Sequence, residues 1–378
     1  MRVGVVGRKT GARVRVLGFG TYELSRHPRA GVILSGLRAH GDEVVEINEP
    51  LGFSTAERVA MLTTPWLAYR LICRVLVRWA SLARRCVQAR RGDRFDAVLV
   101  GYLGHFDVLL ARVLFPRGRI VLDLLVFAAD TARDRGVTGR LKLLMLQALD
   151  RLAIRCADVV VVDTAEHLEL LAEPDRGKGV VVAVGASEAW FQAASVAWRP
   201  TGAMRVAFFG LFTPLQGAPV IGEALAMLSD RTDMVVTMIG TGQDYARTRA
   251  LASVNPSVTW LEWVDGGDLP RVIAAHDLCL GIFGTSTKGM RVVPNKVYQA
   301  AAAGCAIITS DTPAQRRVLG EAASYVPAGD PVALAEALGS LAADPSRVQA
   351  MGIAARRRAS ANFRASAIVE PLRDRLVT

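Results

Sequence analysis

Short runs of β-branched residues alternate along this chain with longer stretches of helical periodicity, and that alternation limits the fold more than any other feature. The runs 2–7, 43–48, 97–101, 119–123, 158–163 and 179–185 are apolar almost throughout, which predicts strands buried on both faces of a parallel sheet. Helix-length segments such as 30–40 and 141–155 lie between them, the spacing of βαβ units. A second series begins after a break at 193–202 that contains Trp198, Arg199 and Pro200. Its strands are expected at 204–210, 234–240, 258–263, 277–282, 306–310 and 323–326, with helices at 220–228, 269–275, 295–303 and 331–342.

A chain of 378 residues has the length of about two ordinary domains. The predicted architecture is α/β, with two Rossmann-like, doubly wound parallel-sheet domains facing a central cleft. The first covers 1–195 and the second 196–355. The stretch 346–377 reads as basic and helical, with 356–378 a C-terminal helix packing back on the first domain. No repeat of fixed short period occurs, which excludes a solenoid.

Charge is distributed unevenly. The net charge is +11, yet the window 58–92 holds eight arginines (Arg58, Arg70, Arg74, Arg78, Arg84, Arg85, Arg90, Arg91) and no Lys, Asp or Glu. It carries +8, leaving +3 for the other 343 residues. Across 66–91 the residues Leu67, Leu71, Val75, Trp79 and Leu82 recur at helical spacing, with Arg70, Arg74, Arg78 and Arg85 on a different face. This predicts a basic amphipathic helix. It either lies on an anionic membrane surface or packs its apolar stripe on the first sheet with the arginines solvated, and the absence of any acid keeps the first reading level with the second. Nucleic acid is not expected as a partner, because aromatics make up only 6% of the chain and a single-strand platform needs interleaved rings.

Five scattered cysteines, Cys73, Cys86, Cys156, Cys279 and Cys305, form no CxxC pair and fit free thiols in a reducing cytoplasm. The start MRVGVVGRKTG lacks the features of a leader, and the uncharged stretches 206–222 and 297–310 are too short to span a bilayer. The expected location is cytoplasmic, peripheral at the inner face of the cell membrane.

The chemistry-bearing segment is KGMRVVPNKVYQAAAAG, from Lys288 to Gly304, which follows the apolar strand LCLGIF. It sits at the carboxyl end of a strand, where open α/β sheets bind ligands. Pro294 suits a first helical turn and Gly304 a left-handed cap, so the helix start at Asn295 offers free N–H groups and a positive dipole end. Lys288, Arg291 and Lys296 add cations near that end, and a diphosphate satisfies all of them. Gln299 follows Lys296 by three residues and is placed to reach a ribose hydroxyl. Two further loops, FFGLFTPLQG with Gly210 and Gly217 and IGTGQ with Gly240, put glycines at strand ends, where the backbone can approach a nucleotide.

In this order, FFGLFTPLQG, MIGTGQ, the strand before Trp263 and KGMRVVPNKVYQAAAAGCAIITSD resemble the donor domain of the GT-B glycosyltransferases of glycosyltransferase family 4. The resemblance covers most of 204–345 and, more loosely, the whole chain. It implies a retaining, metal-independent transfer of sugar from a nucleoside-diphosphate sugar. The family's two glutamates, eight positions apart, correspond to Arg291 and Gln299, and its loop Arg and Lys fall near Leu211 and Gln216. Phosphate charge then rests on Lys288, Arg291 and Lys296, with Lys296 and Arg291 the catalytic cations.

The resemblance also implies a histidine contacting the transferred sugar. His105, after the strand 97–100, holds that place, although a local bond to Asp107 is the competing reading. On the acceptor side stand Gly20 and Thr21, with Tyr22 and Arg26, in a loop after a first strand. Asp123, Asp130 and Asp134 are placed either to bind acceptor hydroxyls or to cap helices and pair with Arg133 and Arg135. The acceptor is a glycan, a lipid-linked molecule or a small molecule. No cofactor and no metal is expected, since the histidines show no ligand spacing with Cys or acids. A nucleotide-sugar hydrolase or epimerase of the same fold, or a non-catalytic binding protein at the membrane, are the alternatives.

Overall fold

The computed structural model describes residues 13–23, 28–52, 65–89, 94–193 and 202–378. In the first domain the elements are β1 (Arg15–Gly20), α1 (Arg29–Ala39), β2 (Glu43–Asn48), α2 (Pro65–Ala89), β3 (Ala97–Val100), α3 (Asp107–Leu114), β4 (Arg119–Asp123), α4 (Ala128–Asp134), α5 (Arg140–Cys156), β5 (Val159–Val162), α6 (Ala165–Leu168), α7 (Glu173–Arg176) and β6 (Gly179–Val181); α8 (Glu188–Ala193) follows and packs Trp190 and Phe191 against the second domain. The second domain holds β7 (Met204–Phe209), α9 (Ala218–Met227), β8 (Met234–Ile239), α10 (Tyr245–Leu251), β9 (Val258–Leu261), α11 (Leu269–Ala274), β10 (Leu278–Leu280), α12 (Asn295–Ala303), β11 (Ala306–Ser310), α13 (Pro313–Leu319), β12 (Ser324–Val326), α14 (Pro331–Ala342) and α15 (Pro345–Asn362). The chain ends in α16 (Ala365–Val377).

Each domain is built on a six-stranded parallel sheet, ordered β2-β1-β3-β4-β5-β6 and β12-β11-β10-β7-β8-β9. The central strands are buried on both faces, as their unbroken apolar runs require. In the first sheet Leu17, Val98 and Leu122 face α2, α3 and α5, while Val16, Leu99 and Val121 face α1 and α16. Strand order reverses between β1 and β3 and between β7 and β10, and at such reversals the loops diverge and leave a crevice at the carboxyl ends of the strands.

Three features differ from the sequence expectation or fall beyond it. The strand at 2–7, Arg26, and the arginines at 58, 90 and 91 lie outside the described residues, as does 194–201 of the interdomain break. The first described strand is β1, and it contains Gly18 and also Gly20, which the sequence places in a loop after a first strand. Packing is the reason: a β-carbon on Gly18 would lie 3.1 Å from both Leu34 Cδ1 and the Tyr22 hydroxyl, so glycine lets α1 seat closely on the strand.

The C-terminal region is cut elsewhere than at residue 356. α15 runs through that position and presents Val348, Gly352, Ala355 and Ala359 to the second domain. Only α16 returns to the first domain, where Ile368, Val369 and Leu372 close the core against α1. The chain therefore passes between the domains twice, at 182–187 and at 363–364, and the two passages are joined by the Ala186 N–H donating to the Phe363 carbonyl at 3.0 Å.

Candidate functional site

At the switch point of the second sheet, α12 starts at Asn295 after an extended Pro294 (φ −74°, ψ 155°) and ends on Gly304 in the left-handed region (φ +84°). No side chain caps its start, so the first-turn N–H groups are not satisfied by the protein's own side chains. Lys296, in that first turn, is only 5% exposed. Its Nζ has no hydrogen-bond partner and lies 3.4 Å from the centroid of the Phe208 ring. Burial holds its pKa well below the ordinary lysine value of 10.5. A buried amine without an acceptor is costly, and a protein that retains one has an anion to set against it or tolerates a strained ground state.

The glycines around this lysine divide into two kinds. Gly210 (φ +131°) is exposed, and a β-carbon there would lie 3.4 Å from Lys296 Cε and 3.5 Å from Nζ. Gly217 and Gly240 are different, because their missing side chains leave room for the protein's own backbone. A β-carbon on Gly217 would lie 2.3 Å from the Gly284 amide nitrogen, and one on Gly240 would lie 2.1 Å from the Gly210 carbonyl. They hold the loops after β7, β8 and β10 together, and Gly210 alone of the three borders the lysine.

Lys288 and Arg291 both reach the first domain. Lys288 Nζ donates to Thr131 Oγ1 at 2.7 Å, Ser286 Oγ donates to Asp134 Oδ1 at 2.5 Å, and Arg291 Nη1 lies 3.7 Å from Asp130 Oδ1. Thr164 Oγ1 donates to the Arg291 carbonyl at 2.9 Å, and Arg317 pairs with Glu166 nearby. The acids of α4 thus face the cations of the second domain across the cleft, instead of pairing with Arg133 and Arg135. Burial lowers the Lys288 pKa while Asp134 and Asp130 oppose that shift. If a diphosphate competes with these carboxylates, replacing Asp130 and Asp134 by Asn frees the cations, and UDP binding by isothermal titration calorimetry is expected to tighten by about tenfold. Unchanged affinity excludes the competition.

On the first domain, His105 is buried and its Nε2 donates to Asp150 Oδ1 at 3.0 Å; the carboxylate only accepts, which places the proton on Nε2. Asp150 also accepts from the Ala128 N–H at 2.9 Å and the Ala129 N–H at 3.2 Å, the first residues of α4. The local bond between His105 and Asp107 is absent. Asp107 instead accepts from the Thr21 N–H and hydroxyl, both at 2.8 Å, and from Trp79 Nε1 at 2.9 Å. Gly20 ends β1 beside this acid, so Gly20 and Thr21 meet a structural carboxylate. Asp123 is buried with Oδ1 held 2.7 Å from Arg29 Nε, and burial pushes its carboxyl pKa up against the opposing pull of the guanidinium.

Sequence reasoning missed Asp150, Arg29 and the buried pair in which His167 Nδ1 lies 2.5 Å from Asp163 Oδ1. A signal existed for the first: Asp150 occupies a core position of α5, aligned with Ala153 and Ile154, where an acid needs partners. Gln299 is half-buried farther along α12. Among the described residues, no group of three or more His, Cys, Asp or Glu is arranged to hold a metal ion, and no helix is long and apolar enough to cross a membrane.

Two doubly wound domains with the cleft between their carboxyl edges make up the GT-B fold, and solved structures agree over nearly the whole chain. Sucrose-phosphate synthase from Thermosynechococcus elongatus superposes with a TM-score of 0.68 at 14% identity, covering 96% of this chain and 98% of that one. HepE from Anabaena in complex with UDP-glucose gives 0.65 at 13%, covering 97% and 100%. An α,α-trehalose-phosphate synthase (UDP-forming) from Burkholderia vietnamiensis gives 0.63 at 13%, covering 97% of each chain. In sequence, residues 203–344 match the family model described as Glycosyl transferases group 1. No curated protein matches the chain.

Proposed function

We propose that this protein transfers a sugar from a nucleoside-diphosphate sugar to an acceptor hydroxyl, with retention at the anomeric carbon and without a metal ion. The observation that carries this reading is Lys296, a buried amine with no acceptor, placed beside Gly210 and the uncapped first turn of α12. A diphosphate seated there accepts from the helix N–H groups and restores the charge on Lys296. As the glycosidic bond breaks, negative charge grows on the leaving phosphate, and groups already oriented toward it stabilise that charge without reorganising. The leaving oxygen takes the acceptor proton on the face from which the acceptor attacks, so configuration is kept. His105, fixed by Asp150, contacts the sugar from the first domain. The match of 203–344 to glycosyl transferases group 1 and the UDP-glucose bound by HepE support the donor class. The basic helix α2 supports an acceptor presented at an anionic membrane surface.

A panel of nucleoside-diphosphate sugars, each read by thermal shift, is expected to give stabilisation by one donor. Proton NMR of the product is then expected to show the donor's anomeric configuration, with turnover indifferent to EDTA. Free sugar or an epimer formed without any acceptor moves the assignment to a hydrolase or epimerase.

A further inference from the structure

The outer surface of the first domain shows a pattern that the cleft does not explain. Among the described residues, ten of the twenty exposed large hydrophobic side chains lie on α2, α3 and α5, although these helices hold only 50 residues. Scattered apolar residues on a surface are ordinary; a concentration of them on one layer needs a partner.

α5 shows why. Its inner side is bound to the sheet through Asp150, Ala153 and Ile154. Its outer side carries Leu141, Leu144, Met145 and Leu152, with Leu141 74% and Met145 66% exposed. These four positions follow the period of one helical stripe, so the helix is apolar on two opposite sides, which is the pattern of a helix covered on both. On the first half of α2, Tyr69, Ile72, Leu76 and Val77 are all more than half exposed, while Leu82 and Cys86 anchor the second half in the core. α2, α3 and α5 are neighbours on the same face of the sheet. Helices that link parallel strands start at the carboxyl edge, so the exposed apolar halves of α2 and α5 lie toward the mouth of the cleft.

The charge around this patch has one sign. The acids of the three helices are Asp107 and Asp150, both buried. Glu49 pairs with Arg78 and Arg85, and Asp158 with Arg112. No described acid pairs with Arg70, Arg84, Arg140, Lys142, Arg151 or Arg155. A protein partner of matching shape is possible only with an acidic, apolar face of its own; an anionic bilayer offers headgroups and hydrocarbon in that order from the surface inward.

We infer that α5, together with α3 and the first half of α2, is a lipid-docking face that inserts its apolar residues into an anionic bilayer and sets the mouth of the cleft against the headgroups. This rests on the proposed membrane-presented acceptor and extends it: α2 supplies charge, and α5 supplies insertion. An acceptor carried on a lipid then enters from the bilayer side, next to α4 and α5.

The test is flotation of the full chain with vesicles of phosphatidylcholine alone and with added phosphatidylglycerol, alongside a Leu144→Glu/Met145→Glu variant. Both side chains point outward, so the variant folds, and an unaltered thermal shift with UDP checks this. The wild type is expected to float only with phosphatidylglycerol, and the variant to lose at least about tenfold in partitioning, since two acids replace two inserted hydrocarbons. A variant that floats like the wild type overturns the role of α5 and leaves the α2 reading standing. A wild type that never floats overturns both. A wild type that stays off vesicles but forms a dimer dispersed by the same variant assigns the face to a second copy of the chain.

Discussion

Exchanging Lys296 for Met is expected to make the protein more stable and nearly inactive. The lysine is buried with its amine unsatisfied, and Met fills the same volume without a polar atom. Removing an unpaired buried amine returns on the order of 1–3 kcal/mol, seen as a rise of several degrees in the thermal midpoint. Loss of the phosphate-facing cation costs about 10²–10³ in turnover, the usual effect of deleting one charge-stabilising donor. The stability gain carries a pH signature. Burial lowers the Lys296 pKa below 10.5, so between the lowered value and 10.5 the unfolded chain holds a proton that the folded chain has released. Stability of the wild type then rises with pH through that window. The advantage of the Met variant is therefore greatest at low pH and shrinks toward 10.5. Denaturant melts at several pH values, paired with a transfer assay, read both effects; a variant with wild-type turnover removes Lys296 from the chemistry.

The second large effect is expected at Asp150. Its carboxylate receives three donors from two separate segments: the N–H groups of Ala128 and Ala129, and His105 Nε2. Asp150→Ala orphans all three in a buried setting and should cost on the order of 3–5 kcal/mol, measured by denaturant unfolding. Asp150→Asn is the informative companion. It keeps one oxygen, but Ala128 and His105 share Oδ1 while Ala129 uses Oδ2, so the new amide nitrogen faces at least one of these donors; the cost in stability should be smaller than for Ala, and the loosened hold on His105 should lower activity through kcat more than through KM. Equal kcat in the Asn variant and the wild type would show that Asp150 only braces α4.

Why was so much of the fold legible? Strands such as VVVV at 159–162 and AVLV at 97–100 are buried on both faces, and nothing but a central parallel strand tolerates that run. α12 was bounded by Pro294 and Gly304, whose backbone preferences act locally. What stayed hidden depends on distance along the chain. Asp150 meets His105 across 45 residues, and Ser286 meets Asp134 across 152. No local pattern registers such partners. Lys288 and Arg291 stand close to Asn295 in sequence, but that closeness does not reveal their contacts with Thr131 and Asp130 of the other domain. The glycines misled for a related reason: Gly217 and Gly240 accommodate backbone from another loop, which looks identical, in one dimension, to room left for a ligand.

The doubled passage between the domains has a mechanical consequence. A single linker would act as a swivel and let the two halves meet at many relative angles. Here two strands of chain run side by side, stitched by the Ala186–Phe363 hydrogen bond and crowded at Gly185, where a β-carbon would fall 2.9 Å from the Phe363 carbonyl. Such a strap bends across its width and resists torsion. Any breathing of the cleft is thereby confined to something close to a one-dimensional path, and each return brings Lys288 back to Thr131 in register, with no search over orientations.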